Sequence, residues 1–100
     1  DLVNPILDTF DLFAIVRIKA NLLTKTPKIV VNNYHVDHDK KNWNTSIFYL
    51  NTNNGYTEFK DGTIINSVAN RLITFPSEMA HRGTSCTDEK SRVVINFNWM

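Results

Sequence analysis

The chain has 100 residues, of which 42% are hydrophobic and 21% charged, with a formal net charge of +1. That supports one small domain with a single core and ordinary globular usage. The near-neutral balance lacks the basic footprint of nucleic-acid binding, and the longest apolar run, about Leu12 to Val16, is far too short to span a membrane.

Cys86 stands alone, which rules out an internal disulfide framework and fits a reducing, cytoplasmic setting. Asn44-Thr45-Ser46 matches a glycosylation acceptor, a chance match in the absence of a secretory signal. The chain opens on Asp1 rather than Met, so a missing N-terminal piece is an open reading.

Asn4 as N-cap, Pro5 at the first helical position, then Ile6, Leu7 and Phe10 predict a short N-terminal helix. Val16, Ile18, Ala20 and Leu22 alternate with Arg17, Lys19 and Asn21, the pattern of a strand with one buried face. A helix over Leu12 to Leu23 competes, because the apolar content suits either. Thr26-Pro27 breaks the run, and Lys28 to Asp37 is rich in β-formers. Asp39 to Asn44 reads as a loop. Thr45 to Asn51 is a strand with Thr45, Ile47 and Tyr49 on one face and Ser46, Phe48 and Leu50 on the other.

Asn53-Asn54-Gly55 and Asp61-Gly62 are turn signals on either side of a short strand, Tyr56 to Phe59. Thr63 to Val68 and Arg71 to Phe75 read as strands, closed by Pro76; Met79 to Arg82 approaches a polar turn over Gly83 to Ser91. In the last strand Val93, Ile95, Phe97 and Trp99 alternate with Arg92, Val94, Asn96 and Asn98. About eight strands and little helix predict an all-β fold, a sandwich or barrel of the double-sheet jelly-roll kind.

The chemistry centres on His35-Val36-Asp37. In extended backbone, side chains two apart share a face, so an imidazole and a carboxylate are presented together. They supply two ligands of the facial triad that holds non-haem Fe(II). His81 is the only histidine outside the Tyr34–Asp39 cluster and is the candidate for the third. Arg92, 11 residues on, sits on the hydrophilic face of an apolar strand, where its planar fork suits a carboxylate. A hairpin between the two would set Arg92 on the strand neighbouring His81.

Blander readings compete residue by residue. His38 and Asp39 belong to an exposed loop, and Arg17, Lys19, Lys40 and Lys41 are most simply solvated charge. Arg92 has a structural ion pair with Asp88 or Glu89 as its alternative, and Trp43 and Trp99 are packing residues first. Asn33-Tyr34-His35-Val36-Asp37-His38 nearly matches the His-x-His-x-Asp-His of metallo-β-lactamase-like zinc hydrolases, but Asn33 replaces the first His and that fold needs a longer chain.

The order His35-x-Asp37, His81, Arg92 resembles the Fe(II)/2-oxoglutarate-dependent dioxygenases, most closely their prolyl 4-hydroxylase-like branch, including short members carried by bacteriophages. Phe48-Tyr49-Leu50-Asn51 is similar to the strand whose tyrosine hydrogen-bonds the co-substrate, and Gly55-Tyr56-Thr57-Glu58-Phe59 to the glycine-rich segment that follows. The resemblance covers roughly residues 15 to 99. It departs at Val94, where many members carry Ser or Thr, and in having little of the usual N-terminal support helices.

The resemblance implies a double-stranded β-helix spanning residues 1–100 as one domain, with Fe(II) on His35, Asp37 and His81. It implies 2-oxoglutarate on Arg92 and Tyr49, O2 as oxidant, ascorbate as accessory reductant and a host-cytoplasmic location for a phage-encoded member. The implied reaction hydroxylates an unidentified substrate, a protein side chain or small molecule ahead of nucleic acid, with decarboxylation of 2-oxoglutarate to succinate. The alternative is a non-catalytic metal-binding jelly-roll module.

Overall fold

The computed structural model describes residues 15–37 and 42–100, all strand, bridge, turn or loop. The N-terminal helix expected from Asn4-Pro5, and residues 39–41 of the loop expected over Asp39 to Asn44, lie outside the described residues. The described residues form seven strands: β1 (Ile15–Thr24), β2 (Asn44–Tyr49), β3 (Tyr56–Phe59), β4 (Ile64–Asn66), β5 (Leu72–Pro76), β6 (His81–Gly83) and β7 (Ser91–Trp99). They form a four-stranded sheet in the order β1-β7-β2-β5 and a three-stranded sheet in the order β4-β3-β6, antiparallel throughout. No helix among the described residues is long and apolar enough to cross a membrane.

The alternation of β7 builds the molecule. Val94 joins Ile47 and Tyr49 of β2, Phe59 of β3 and Phe75 of β5 in a core between the sheets. Phe59 and Phe75 lock the two layers edge to face, with ring centroids 4.8 Å apart. Ile95 and Phe97 point the other way and pack with Phe48, Leu50 and Trp99 on the outer face of the larger sheet. Both faces of β2 divide as its period-2 pattern predicts.

Three expectations are corrected. β1 is the strand its alternation predicts, but its alternating apolar residues are not a buried face: Ile18 is 44% and Leu22 64% exposed. Residues 28–37, rich in β-formers, form no continuous strand; Val31 and His35 make isolated bridges to Thr84 and His81. His81 and Arg92 do not sit on neighbouring strands. β6 pairs with β3 while β7 pairs with β1 and β2, so the two residues face the interior from opposite sheets.

Candidate metal and co-substrate site

Cross-strand register assembles the inner face of the larger sheet in rows, because residues directly opposite in an antiparallel pair share a face. Arg17, Asn98 and Thr45 form one row across β1, β7 and β2; Lys19, Asn96 and Ile47 form the next; Asn21, Val94 and Tyr49 the third. Leu23 then lies opposite Arg92. The smaller sheet and the 25–37 segment close over these rows.

His35, Asp37 and His81 bring one ligand atom each to within 4.8 Å of one another. The Nε2 atoms of His35 and His81 lie 3.3 and 3.6 Å from the same oxygen, Asp37 Oδ1. The other oxygen, Oδ2, accepts hydrogen bonds from Thr45 Oγ1 (2.9 Å) and Asn98 Nδ2 (3.3 Å). Asn98 also donates to Thr45, which bonds Ser77, so the carboxylate is held by a buried hydroxyl–amide network. His81 Nδ1 lies 3.0 Å from the Met79 carbonyl; as donor there, it leaves Nε2 with its lone pair toward the site.

Burial holds the His81 pKa below the usual histidine value, against the opposing effects of the Met79 carbonyl and the Asp37 charge. Its neutral form is the one that binds a metal. His35 is more exposed, at 54% of its side chain, and forms the open wall. Its neighbour Tyr34 is clamped from outside: the Arg82 guanidinium lies 4.2 Å from the ring centroid and its Nε donates to Glu58 at 2.7 Å.

Arg92 lies deeper, 2% exposed, with no carboxylate in ion-pair range among the described residues. The Asp88 or Glu89 pairing considered from sequence is not formed; Asp88 instead accepts from the Asn54 amide. Arg92 Nε donates to Ser67 Oγ (2.9 Å) and Nη2 to Thr57 Oγ1 (3.3 Å), while Nη1 finds no partner among the described residues. Desolvation pulls its pKa below the ordinary arginine value, partly offset by Tyr49 and Cys86. Even so, a guanidinium keeps its charge.

Tyr49 is fully buried and its hydroxyl bonds Thr57 Oγ1 at 2.8 Å. Thr57 therefore stands between Tyr49 and a cavity of about 230 Å³ that Arg92, Thr57, His35 and His81 all line. Sequence reasoning passed over Thr57; its signal was the Thr-x-Phe of the glycine-rich segment. Gly55 was legible only as a turn residue, yet it is buried, and a Cβ there would stand 2.6 Å from Arg92 Cδ and 2.8 Å from the Ser85 carbonyl. It lets the backbone lie directly on the arginine stem.

The donor set fits Fe(II): two imidazoles and a carboxylate converge, with Asp37 oriented by Thr45 and Asn98 and His81 by burial and the Met79 carbonyl. The buried, acid-free guanidinium in the same cavity fits a carboxylate-bearing co-substrate.

No protein-family profile and no curated protein sequence matches this chain. Solved structures do. Protein NMB1881 from Neisseria meningitidis aligns with TM-score 0.58 at 12% identity, over 88% of this chain and 82% of that one. A cupin protein from Bacteroides fragilis aligns with TM-score 0.55 at 13% identity, over 83% of this chain and 63% of its own. HppE, solved with Fe(II) and substrate, aligns with TM-score 0.53 at 15% identity, over 88% of this chain and 53% of its own. At these identities the likeness establishes the fold, a cupin-type jelly roll, and leaves open the branch of dioxygenases that the motifs resemble.

Proposed function

We propose that this chain is an Fe(II)- and 2-oxoglutarate-dependent dioxygenase that hydroxylates its substrate while 2-oxoglutarate is decarboxylated to succinate. The observation that carries the reading is Arg92: a buried cation without an acidic partner among the described residues, sharing one cavity with a His-Asp-His cluster. An unpaired buried charge is costly unless a ligand completes it. The Fe(II) centre in HppE, on the same fold, is consistent with the metal.

Bound Fe(II) supplies the redox chemistry with O2 that no side chain can provide. His35, Asp37 and His81 would hold it, with Asn98 and Thr45 fixing the Asp37 carboxylate and the Met79 carbonyl fixing the His81 ring. Arg92 receives the far carboxylate of 2-oxoglutarate. With the Tyr49 phenol donating to Thr57, the Thr57 hydroxyl proton is left for the same carboxylate. Ile47 and Val94 give the cavity a dry apolar wall that strengthens these interactions. Ascorbate is the expected accessory reductant, and the lone buried Cys86 thiol suits a cytoplasmic setting.

Anaerobic titration of the protein with Fe(II) and then 2-oxoglutarate tests the reading. A visible metal-to-ligand charge-transfer band is expected, as is succinate release on admitting O2. Stoichiometric Fe(II) binding with no band at saturating 2-oxoglutarate would leave a metal-binding jelly-roll module and overturn the dioxygenase.

A further inference from the structure

Beyond the Arg92 cavity lies a second one, of about 260 Å³, on the other side of the metal ligands. The two share Asn21, His35 and Asn96, while Arg92 and Thr57 line only the first and Asp37 and Asn98 only the second. The triad therefore sits where two chambers meet. One chamber holds the buried cation assigned to the co-substrate. The other is where a second molecule can reach the same metal.

The wall of the second chamber carries two exposed cations. Arg17 and Lys19 of β1 both line it. Register fixes them there: Arg17 is opposite Asn98, the amide that holds Asp37, and Lys19 is opposite Asn96. Among the described residues the lining has one apolar side chain, Val36, and one acid, Asp37, whose oxygens face the two imidazoles and the Thr45–Asn98 pair. Its negative charge is spent on the metal. What remains, among the described residues, is a polar chamber with two cations without an ion-pair partner and the amides of Asn21 and Asn96.

We propose that Arg17 and Lys19 are the substrate-recognising wall of this enzyme, and that the substrate is a small molecule bearing a carboxylate or phosphoryl group. The anion lies against β1 and presents its reacting carbon toward the triad. Guanidinium suits the planar fork of a carboxylate or phosphate, and the lysine adds a point charge. The chamber does not suit a prolyl ring, which would bring apolar surface against amides and charges. The assignment rests on reading the triad as a metal centre with 2-oxoglutarate on Arg92.

The test is a two-dimensional 1H–15N NMR titration of the Zn(II)-loaded protein, saturated with 2-oxoglutarate, with methylphosphonate in one arm and acetate in the other. Shifts at Arg17, Lys19, Asn96 and Asn98 are expected, with the tighter anion naming the group the substrate carries. The double variant Arg17→Gln/Lys19→Gln should bind that anion at least about fivefold more weakly, while Lys60→Gln binds it as wild type. Unchanged binding by the double variant, or shifts confined to Thr57 and Arg92, would overturn the proposal. Tighter binding of oligothymidylate than of methylphosphonate would overturn the small-molecule assignment in favour of nucleic acid. Failure of the co-substrate reading is seen separately, as absence of 2-oxoglutarate shifts at Thr57 and Arg92 before any second anion is added.

Discussion

His35 and His81 exchange both of their backbone hydrogen bonds, each N–H donating to the other's carbonyl at 2.9 Å. This mutual pair is the geometry that sets opposed side chains on one face of a ladder, and the two imidazole centroids lie 4.4 Å apart. A histidine from a segment with no strand is thus registered against one from β6. The Asp37 amide adds a third tie, donating to the Ser77 carbonyl at 3.2 Å. The three candidate ligands are thus positioned by backbone pairing.

Replacing His81 by Ala removes the buried imidazole of the cluster. Fe(II) affinity should fall by more than about a hundredfold, exceeding the roughly 10–100-fold cost of losing an outer partner. Anaerobic competition against a chromogenic chelator measures it. Near-normal affinity would take His81 out of the ligand set.

Asn98→Leu keeps all three candidate ligands and removes the amide that donates to Asp37 Oδ2. Fe(II) should bind about 10–100-fold more weakly, with the fold retained. The same chelator competition, alongside a thermal melt, separates this from unfolding. An unchanged affinity would mean Thr45 alone orients the carboxylate.

Arg92→Met removes the guanidinium but keeps an apolar stem of similar length. Loss of a charge-assisted contact of about 2–5 kcal/mol predicts 2-oxoglutarate affinity lower by about thirtyfold or more. The charge-transfer band should require correspondingly more 2-oxoglutarate, with Fe(II) stoichiometry intact. Collapse of metal occupancy instead would mark Arg92 as a structural residue.

Gly55→Ala drives a methyl group to within 2.6 Å of the Arg92 stem, with the Ser85 carbonyl behind it. One side or the other must move. The expected outcome is weaker 2-oxoglutarate binding together with lower stability, by about 1–3 kcal/mol as for other overpacked positions. Denaturant unfolding and the band titration read the two effects; wild-type values in both would show the loop yields freely.

Burial holds the Tyr49 phenol above its ordinary pKa of 10.0, despite opposing contributions from Thr57, Arg92 and Arg71. The unfolded chain then ionises first as pH rises, so it binds fewer protons than the folded chain. Stability contributed by Tyr49 is complete below pH 10 and is lost as pH climbs through the folded value. Tyr49→Phe should flatten this alkaline fall while losing about 1 kcal/mol at neutral pH from the bond to Thr57. Urea midpoints measured from neutral pH upward check both; an unchanged alkaline slope in the variant would exclude Tyr49 as its source.

Much of this protein is legible in one dimension. The alternation of Arg92 to Trp99 identifies a strand with two different faces, and β7 has them, with Val94 inward and Ile95 and Phe97 outward. His35-x-Asp37 presents two potential ligands because the period of extended backbone is two, and the structure brings His81 to them. These are local properties, fixed by the chain's own covalent geometry.

What only the tertiary structure decided is which face meets what. Period two says that Arg17, Lys19 and Asn21 share a side of β1, but not whether that side looks at solvent or at the site. Pairing with β7 across more than seventy residues sets Arg17 opposite Asn98 and Lys19 opposite Asn96, at the rim of the second cavity, where both remain exposed, as Leu22 does. The same holds for His81 and Arg92. They are 11 residues apart in sequence, yet each strand pairs with different partners, so the two meet across the sandwich rather than along a hairpin. Partner choice between strands is set by total burial and hydrogen bonding over the whole chain, which no local pattern encodes.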